Sequence, residues 1–197
     1  MENWWLWIVC GILILIVTGG LVFGLPSTKG WAGERLVRMV LKSLPKDKYK
    51  ILNDVYFRKG KWSCQIDHLV ISPYGIFCIE TKNYLGVTQG DYKDKLLQRR
   101  VLGMKYNTYS PIHQNYRHLQ RLVEMFPLIK SYSDYLHSIV CFMPGGTPKI
   151  KGGGVASVCT IKGLKRSIVG EVVEKIPQDD FQTIYNDVRK FSRSCKN

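Results

Sequence analysis

The chain has no cysteine pair at C-x-x-C spacing, although it contains 6 cysteines. Cys64, Cys78, Cys141 and Cys159 stand singly inside apolar, strand-like runs, and Cys10 lies in an N-terminal apolar run. That pattern favours buried thiols in a reducing compartment over a disulfide framework or a zinc ribbon. Histidine is scarce, with 4 in all; His113 and His118 are five apart on a helical stretch and are not stacked for a shared metal. Acidic residues are few, 15 against 29 lysines and arginines, for a formal charge of +14. The apolar N-terminus carries almost none of this charge, so the folded part is strongly basic and suits a polyanionic partner. Attraction to an anionic leaflet competes with that reading. Much of the charge, however, lies far along the chain, at Arg99, Arg100, Lys105, Lys149, Lys151, Arg189 and Lys190 among others. There is no internal repeat. The run Gly152 to Gly154 lacks the lysine and strand-to-helix setting of a P-loop and reads as a flexible connection.

Charge is also missing from Trp4 to Pro26, about 22 residues, enough to cross a hydrocarbon core of about 30 Å as a transmembrane helix. A cleaved signal would begin basic and be shorter, whereas this chain opens with Glu2. Trp4, Trp5 and Trp7 suit an interfacial aromatic belt, and Lys29, Arg35, Arg38 and Lys42 follow the run, so the positive side is expected in the cytoplasm. The organisation expected is a tail over 1–3, a membrane helix over 4–26, a linker over 27–30 and one domain over 31–197. The protein is thereby placed in the cell membrane as a single-pass chain, N-terminus outside and domain cytoplasmic. Its oligomeric state is not legible.

Within the domain, Trp31, Leu36, Val37, Val40, Leu41 and Leu44 have helical spacing, ended by Pro45. Three strands follow from Tyr49, and "GVTQGDY" suggests a short fourth in the same antiparallel meander. The charged segment from Lys93 to Ser110 lacks a period and reads as a loop with some strand near Leu96 and Leu97. Pro111 opens a second helix with Ile112, Tyr116, Leu119, Leu122, Val123 and Phe126 on one stripe until Pro127. "LHSIVCFM" and "VASVCTI" read as strands around a "PGGTPKIKGGG" loop, and "DDFQTIYNDVRKFSR" as a C-terminal amphipathic helix. This order describes an α/β, or closely related α+β, domain: a mixed central β-sheet covered by helices on both faces.

The chemistry concentrates in "QIDHLVISPYGIFCIETKN", Gln65 to Asn83. Glu80 and Lys82 share a strand face, as do Gln65 and Asp67. A two-residue connection at Pro73-Tyr74 would set Asp67 opposite Glu80 and Gln65 opposite Lys82. A type I turn with a glycine bulge would shift the register by one residue and turn Asp67 away unless a bulge restored it. Facing carboxylates repel unless a cation lies between them, and Mg²⁺ characteristically takes one or two carboxylates plus water and phosphate. Lys82 could then orient a water or neutralise charge on phosphorus. The competing account is a salt-bridge ladder on a half-solvated hairpin, which the surrounding Ile66, Leu69, Val70, Ile71, Ile76, Phe77 and Ile79 oppose. Glu34 lies at the edge of the first helix's stripe, either serving the helix dipole or reaching into a site. Gln114 and His118 share a helical face and either reach the site or form the polar edge of a packed helix.

Together "GERLVRMVLKSLP", "YKILNDVYF", "CQIDHLVISPYGIFCIETKNYLG" and "YSPIHQNYRHLQRL" resemble the nuclease-related domain (NERD) family of the restriction-endonuclease-like PD-(D/E)xK superfamily, from about Gly33 to Phe126. The resemblance implies a mixed sheet flanked by helices and Mg²⁺-dependent phosphodiester hydrolysis, with Mn²⁺ as substitute and DNA as substrate. By motif it makes Asp67 and Glu80 metal ligands, Lys82 the catalytic lysine and Glu34 the helix acid, with Gln65 and Gln114 at recurrent polar positions. Ser110-Pro111 stands where the family has Asn-Pro, and Leu96-Leu97 where a tryptophan is frequent. The expectation is a membrane-anchored nuclease; a non-catalytic nucleic-acid-binding module of the same fold is the alternative.

Overall fold

The structure is a computed structural model that describes residues 5, 7–14, 26–152, 156–170 and 172–194. Most of the Trp4–Pro26 run lies outside the described residues, and among those described no helix is long and apolar enough to cross a membrane. Helix α1 (Pro26–Leu41) takes in the expected 27–30 linker. Strands β1 (Lys50–Lys59), β2 (Trp62–Ser72), β3 (Gly75–Lys82), β4 (Gly86–Asp91), β5 (Leu96–Val101) and β6 (Met104–Tyr109) follow, then α2 (Pro111–Met125) and α3 (Pro127–Ser131). After a 3-10 turn at Ser133–Tyr135 come β7 (Leu136–Phe142), β8 (Gly146–Lys151), β9 (Ala156–Thr160), α4 (Ile161–Val169) and α5 (Gln178–Ser194).

The first sheet runs β1-β2-β3-β7-β9, with β1, β2 and β3 antiparallel and β3, β7 and β9 parallel. A strand in the middle of a covered sheet is apolar on both faces, and Ile76, Phe77, Cys78 and Ile79 all have 0% exposure. On one face Val37 and Leu41 of α1 and Leu164 and Ile168 of α4 pack against Phe77, Ile79 and Cys141. On the other, Leu119 and Leu122 of α2, Ile129 of α3 and Phe181, Ile184 and Val188 of α5 cover Leu69, Ile71, Ile76 and Cys78. Helix α2 starts with Pro111 in its first turn and ends at an extended Phe126, because the residue before a proline is driven from the helical region.

Several expectations are corrected. The architecture has two mixed sheets rather than one, since β4 leaves the meander for a second sheet ordered β6-β5-β4-β8. The segment from Lys93, read as a loop with some strand near Leu96 and Leu97, is the β5–β6 hairpin; strand β5 does begin at Leu96, and the turn lies at Leu102 and Gly103 with φ of 49° and 80°. The "PGGTPKIKGGG" stretch contains β8, parallel to β4. Strands β6 and β8 escaped detection because much of their surface faces water: Met104 is 54% exposed, β6 buries almost nothing, and β8 buries only every second residue and only in part. Helix α4 was also not anticipated; it buries only Leu164 and Ile168, too short a stripe to stand out. On α1, Trp31 and Leu36 are exposed rather than packed, and Arg35 lies over the Trp31 ring.

The β2–β3 turn adopts the two-residue connection, with Ser72 paired to Gly75 and Ile71 to Ile76. Ser72 closes it, its Oγ donating to Gly75 O and accepting from Tyr74 N. A Cβ at Gly75, where φ is +154°, would approach His137 Nε2 to 2.7 Å and Tyr135 O to 2.9 Å. Gly75→Ala is therefore expected to destabilise the fold by about 1–3 kcal/mol, read as a lowered midpoint in urea; an unmoved midpoint would show that the hairpin yields.

Candidate active site

The site forms where the β2–β3 ladder opens. The pairing that starts at the turn ends at His68 and Ile79, so the expected backbone pairing of Asp67 with Glu80 and of Gln65 with Lys82 is not formed. The cause is a break in alternation. Cys64 and Ile66 face the same core as Leu69 and Ile71, whereas strict alternation would put residues 66 and 69 on opposite faces. The partner strand accommodates the break at Asp54, which has φ of 50°. Beyond it the Thr81 N–H, deprived of a ladder carbonyl, donates to Asp67 Oδ2 at 2.8 Å. Asp67 thus lies along the end of β3. Gln65 is exposed, pairs with Tyr56 and alternates away from the core face shared by Cys64 and Ile66.

Glu80 is 2% exposed. Lys82 Nζ lies 2.6 Å from its Oε1, Gln114 Nε2 donates to the same oxygen at 2.8 Å, and Lys82 donates to Gln114 Oε1 at 2.9 Å. These contacts close a triangle between β3 and α2. The second oxygen, Oε2, is buried without a hydrogen bond, and His118 Nδ1 stands 3.4 Å from it without forming one. Burial, then the Asp67 charge, raises Glu80 from 4.5 to about 7, against the opposing pull of Lys82. Burial likewise raises Asp67, although Thr81 N–H and Lys82 oppose it. Burial pulls Lys82 down, but Glu80, Tyr84 and Asp67 outweigh it and hold the ammonium above its ordinary value. Burial, Lys82 and Arg117 lower His118 to about 4, so its imidazole is neutral at pH 7 and its contact with Glu80 is not an ion pair.

Glu34 comes from the opposite side of the sheet. Gly33 lets α1 approach the end of β3: a Cβ there would meet Met143 Cγ at 2.9 Å and Asn83 Cβ at 3.3 Å. Glu34 does not join the Glu80 triangle but stands 3.6 Å from Arg38, which binds Asp54 at 2.6 Å. Burial raises Glu34 first, followed by repulsion from Asp67 and Asp54, with Arg38 opposing. Arg38 and Asp54 were missed as site neighbours; the signal for Arg38 was its position four residues after Glu34, while Asp54 carried none beyond its charge in a β-rich run. Asn115 was missed as well. It is fully buried, and its amide donates to Cys78 O, Ser138 Oγ and Ile139 O, pinning α2 to β3 and β7.

Three acids of one neighbourhood are therefore held above their ordinary values, with Lys82 and Arg38 meeting only part of the negative charge. Among the described residues no group of three or more His, Cys, Asp or Glu side chains could by itself hold a metal ion. Two carboxylates do suffice for a hard divalent cation that keeps water and phosphate as its other ligands. The buried, unpartnered Glu80 Oε2 beside Asp67 fits that donor chemistry.

Residues 29–143 match the family described as nuclease-related domain. The match runs from α1 through the end of β7 and includes every residue of the site. An uncharacterized protein of Bacillus anthracis is 38% identical over 99 residues, covering 49% of this chain and 46% of that protein. The chain thus spans about half the length of that curated relative. No solved structure matches.

The raised pKa of Glu80 has a consequence for stability. The native chain keeps a proton that the unfolded chain releases near 4.5, so the contribution of this group is full below about 4.5, declines as pH rises through about 7, and is level above. In EDTA, Glu80→Gln removes that slope and gains stability relative to the parent between pH 4 and pH 8, by at most about 3 kcal/mol. Parallel denaturation curves at several pH values measure it; equal pH dependence of the two chains would contradict it.

Proposed function

Because this chain belongs to the nuclease-related domain family, we propose that it is a Mg²⁺-dependent phosphodiester hydrolase acting on DNA and held at a membrane by its N-terminal apolar run. The observation that carries the proposal is Glu80: a buried carboxylate with one oxygen bound by Lys82 and Gln114 and the other left without a partner. Asp67 and Glu80 would hold the cation. Bound there, Mg²⁺ or Mn²⁺ supplies Lewis-acid activation of water and neutralises phosphate charge.

The protein's own side chains do the rest. Gln114 and Glu80 fix the Lys82 ammonium, which remains charged and donates toward an attacking water or the charge growing on phosphorus. His118, neutral and largely buried, closes the site behind Glu80. Glu34 is an outlying member, tied to Arg38. The large positive charge gathers the phosphate backbone, with affinity falling steeply as salt rises. Trp4–Pro26 supports the anchor by its length and lack of charge, and the basic residues that follow support a cytoplasmic domain with the N-terminus outside.

The test is cleavage by the full chain in mild detergent of linear, circular and single-stranded DNA, with RNA alongside, in Mg²⁺, Mn²⁺ and EDTA. Cleavage should need the divalent ion, and Lys82→Ala and Asp67→Ala should each lower the rate by about 10²-fold or more. Binding without cleavage, indifferent to both substitutions, would replace the hydrolase with a non-catalytic nucleic-acid-binding module. For the anchor, the full chain should remain in the membrane pellet after an alkaline wash; release into the supernatant would remove the spanning helix.

A further inference from the structure

Helix α2 offers the site more than Gln114 and His118. Residues three, four and seven apart share a helix face, so Gln114, Arg117, His118 and Arg121 form one stripe whose first and third members touch Glu80. Arg117 carries its guanidinium 5.0 Å from the ring centroid of Tyr109, at the end of β6, and Arg121 lies 4.4 Å from that of Trp62, at the start of β2. Cys64, two residues beyond Trp62, is within electrostatic reach of Arg121, Glu80 and Arg117 together. The two arginines therefore flank the carboxylate site along the side where α2 covers β2.

Their surroundings distinguish them from ordinary surface cations. Among the described residues Arg117 has no carboxylate partner, and Arg121 has one, Glu124 at 2.6 Å, in a pair exposed at both ends and so weak and screened. A ring beneath a guanidinium holds its plane while leaving the N–H edge in water. That edge matches two oxygens of a phosphodiester. Residues four apart sit just over one turn, about 6 Å, along the helix, suited to neighbouring phosphates of one strand.

We propose that Arg117 and Arg121, each steadied over an aromatic ring, bind successive phosphates of the nucleic-acid strand beside the scissile bond. The proposal rests on the nuclease reading of the same site and adds the path of the substrate. Phosphate displaces Glu124 from Arg121, and Tyr109 and Trp62 keep both forks aimed outward.

The experiment measures anisotropy of a labelled DNA oligonucleotide with the full chain in detergent and EDTA over a range of salt, followed by cleavage in Mg²⁺. Arg117→Ala with Arg121→Ala should weaken binding about 10-fold or more and make the log–log salt dependence shallower by about 2, and KM for cleavage should rise. The double lysine variant should restore the salt dependence but only part of the affinity. Melting curves confirm that each variant is folded. Wild-type affinity and salt slope in the double alanine variant would overturn the row while leaving cleavage, if present, intact. A slope that falls as expected in a chain that never cleaves would uphold the row and remove the hydrolase. A chain that neither binds nor cleaves would end both.

Discussion

The structure depends on burying one carboxylate. Glu80 sits at the end of a central strand with 2% exposure, where a charge without partners would be expensive. Compensation comes from Lys82 on its own strand and from Gln114, a residue of α2. The next residue of that helix, Asn115, binds the backbone of β3 and β7. Two adjacent amides thus tie α2 to the sheet, one through the acid and one through the core. The helix cannot slide without leaving a buried carboxylate or a buried amide unpaired, so the geometry of the site and the packing of the domain are held by the same contacts.

The opening of the β2–β3 ladder is the second constraint. A regular strand would have satisfied the Thr81 N–H with a backbone carbonyl; the break near Asp54 substitutes the Asp67 side chain. Asp67 is thereby brought within electrostatic reach of Glu80 and Glu34, and all three acids rise above their ordinary values. A local cluster of acids inside a chain of formal charge +14 suits phosphate chemistry in the proposed function: the basic exterior attracts the polyanion, and a divalent ion held by the acids would offset their charge as phosphate approaches.

Much of this was legible from residues alone. The hairpin from Gln65 to Asn83, the two helices that flank it and the shared face of Glu80 and Lys82 all follow from short-range pattern. Of the two hairpin registers left open, the structure adopts the tighter, with Ser72 paired to Gly75. Gln65 could not be placed correctly, because its side depends on a break in alternation that no local periodicity announces. The second sheet was read only in part, as a short fourth strand from Gly86 and some strand near Leu96 and Leu97; its separation from the first sheet went unseen because a strand with a wet face carries Arg99, Arg100 and Lys105 where an apolar pattern would have revealed it.

By itself the sequence determined the order of most elements, the burial of the central strands on both faces and the co-facing of Glu80 and Lys82, since these depend on contacts within a few residues or on simple alternation. Tertiary structure decided the rest: the division into two sheets, the union of Arg38 with Asp54, the reach of Gln114 to Glu80 and the turn of Asp67 toward Thr81. Each of these joins residues 14 to 34 positions apart, or more across the sheets, and such contacts exist only once packing has fixed which faces meet.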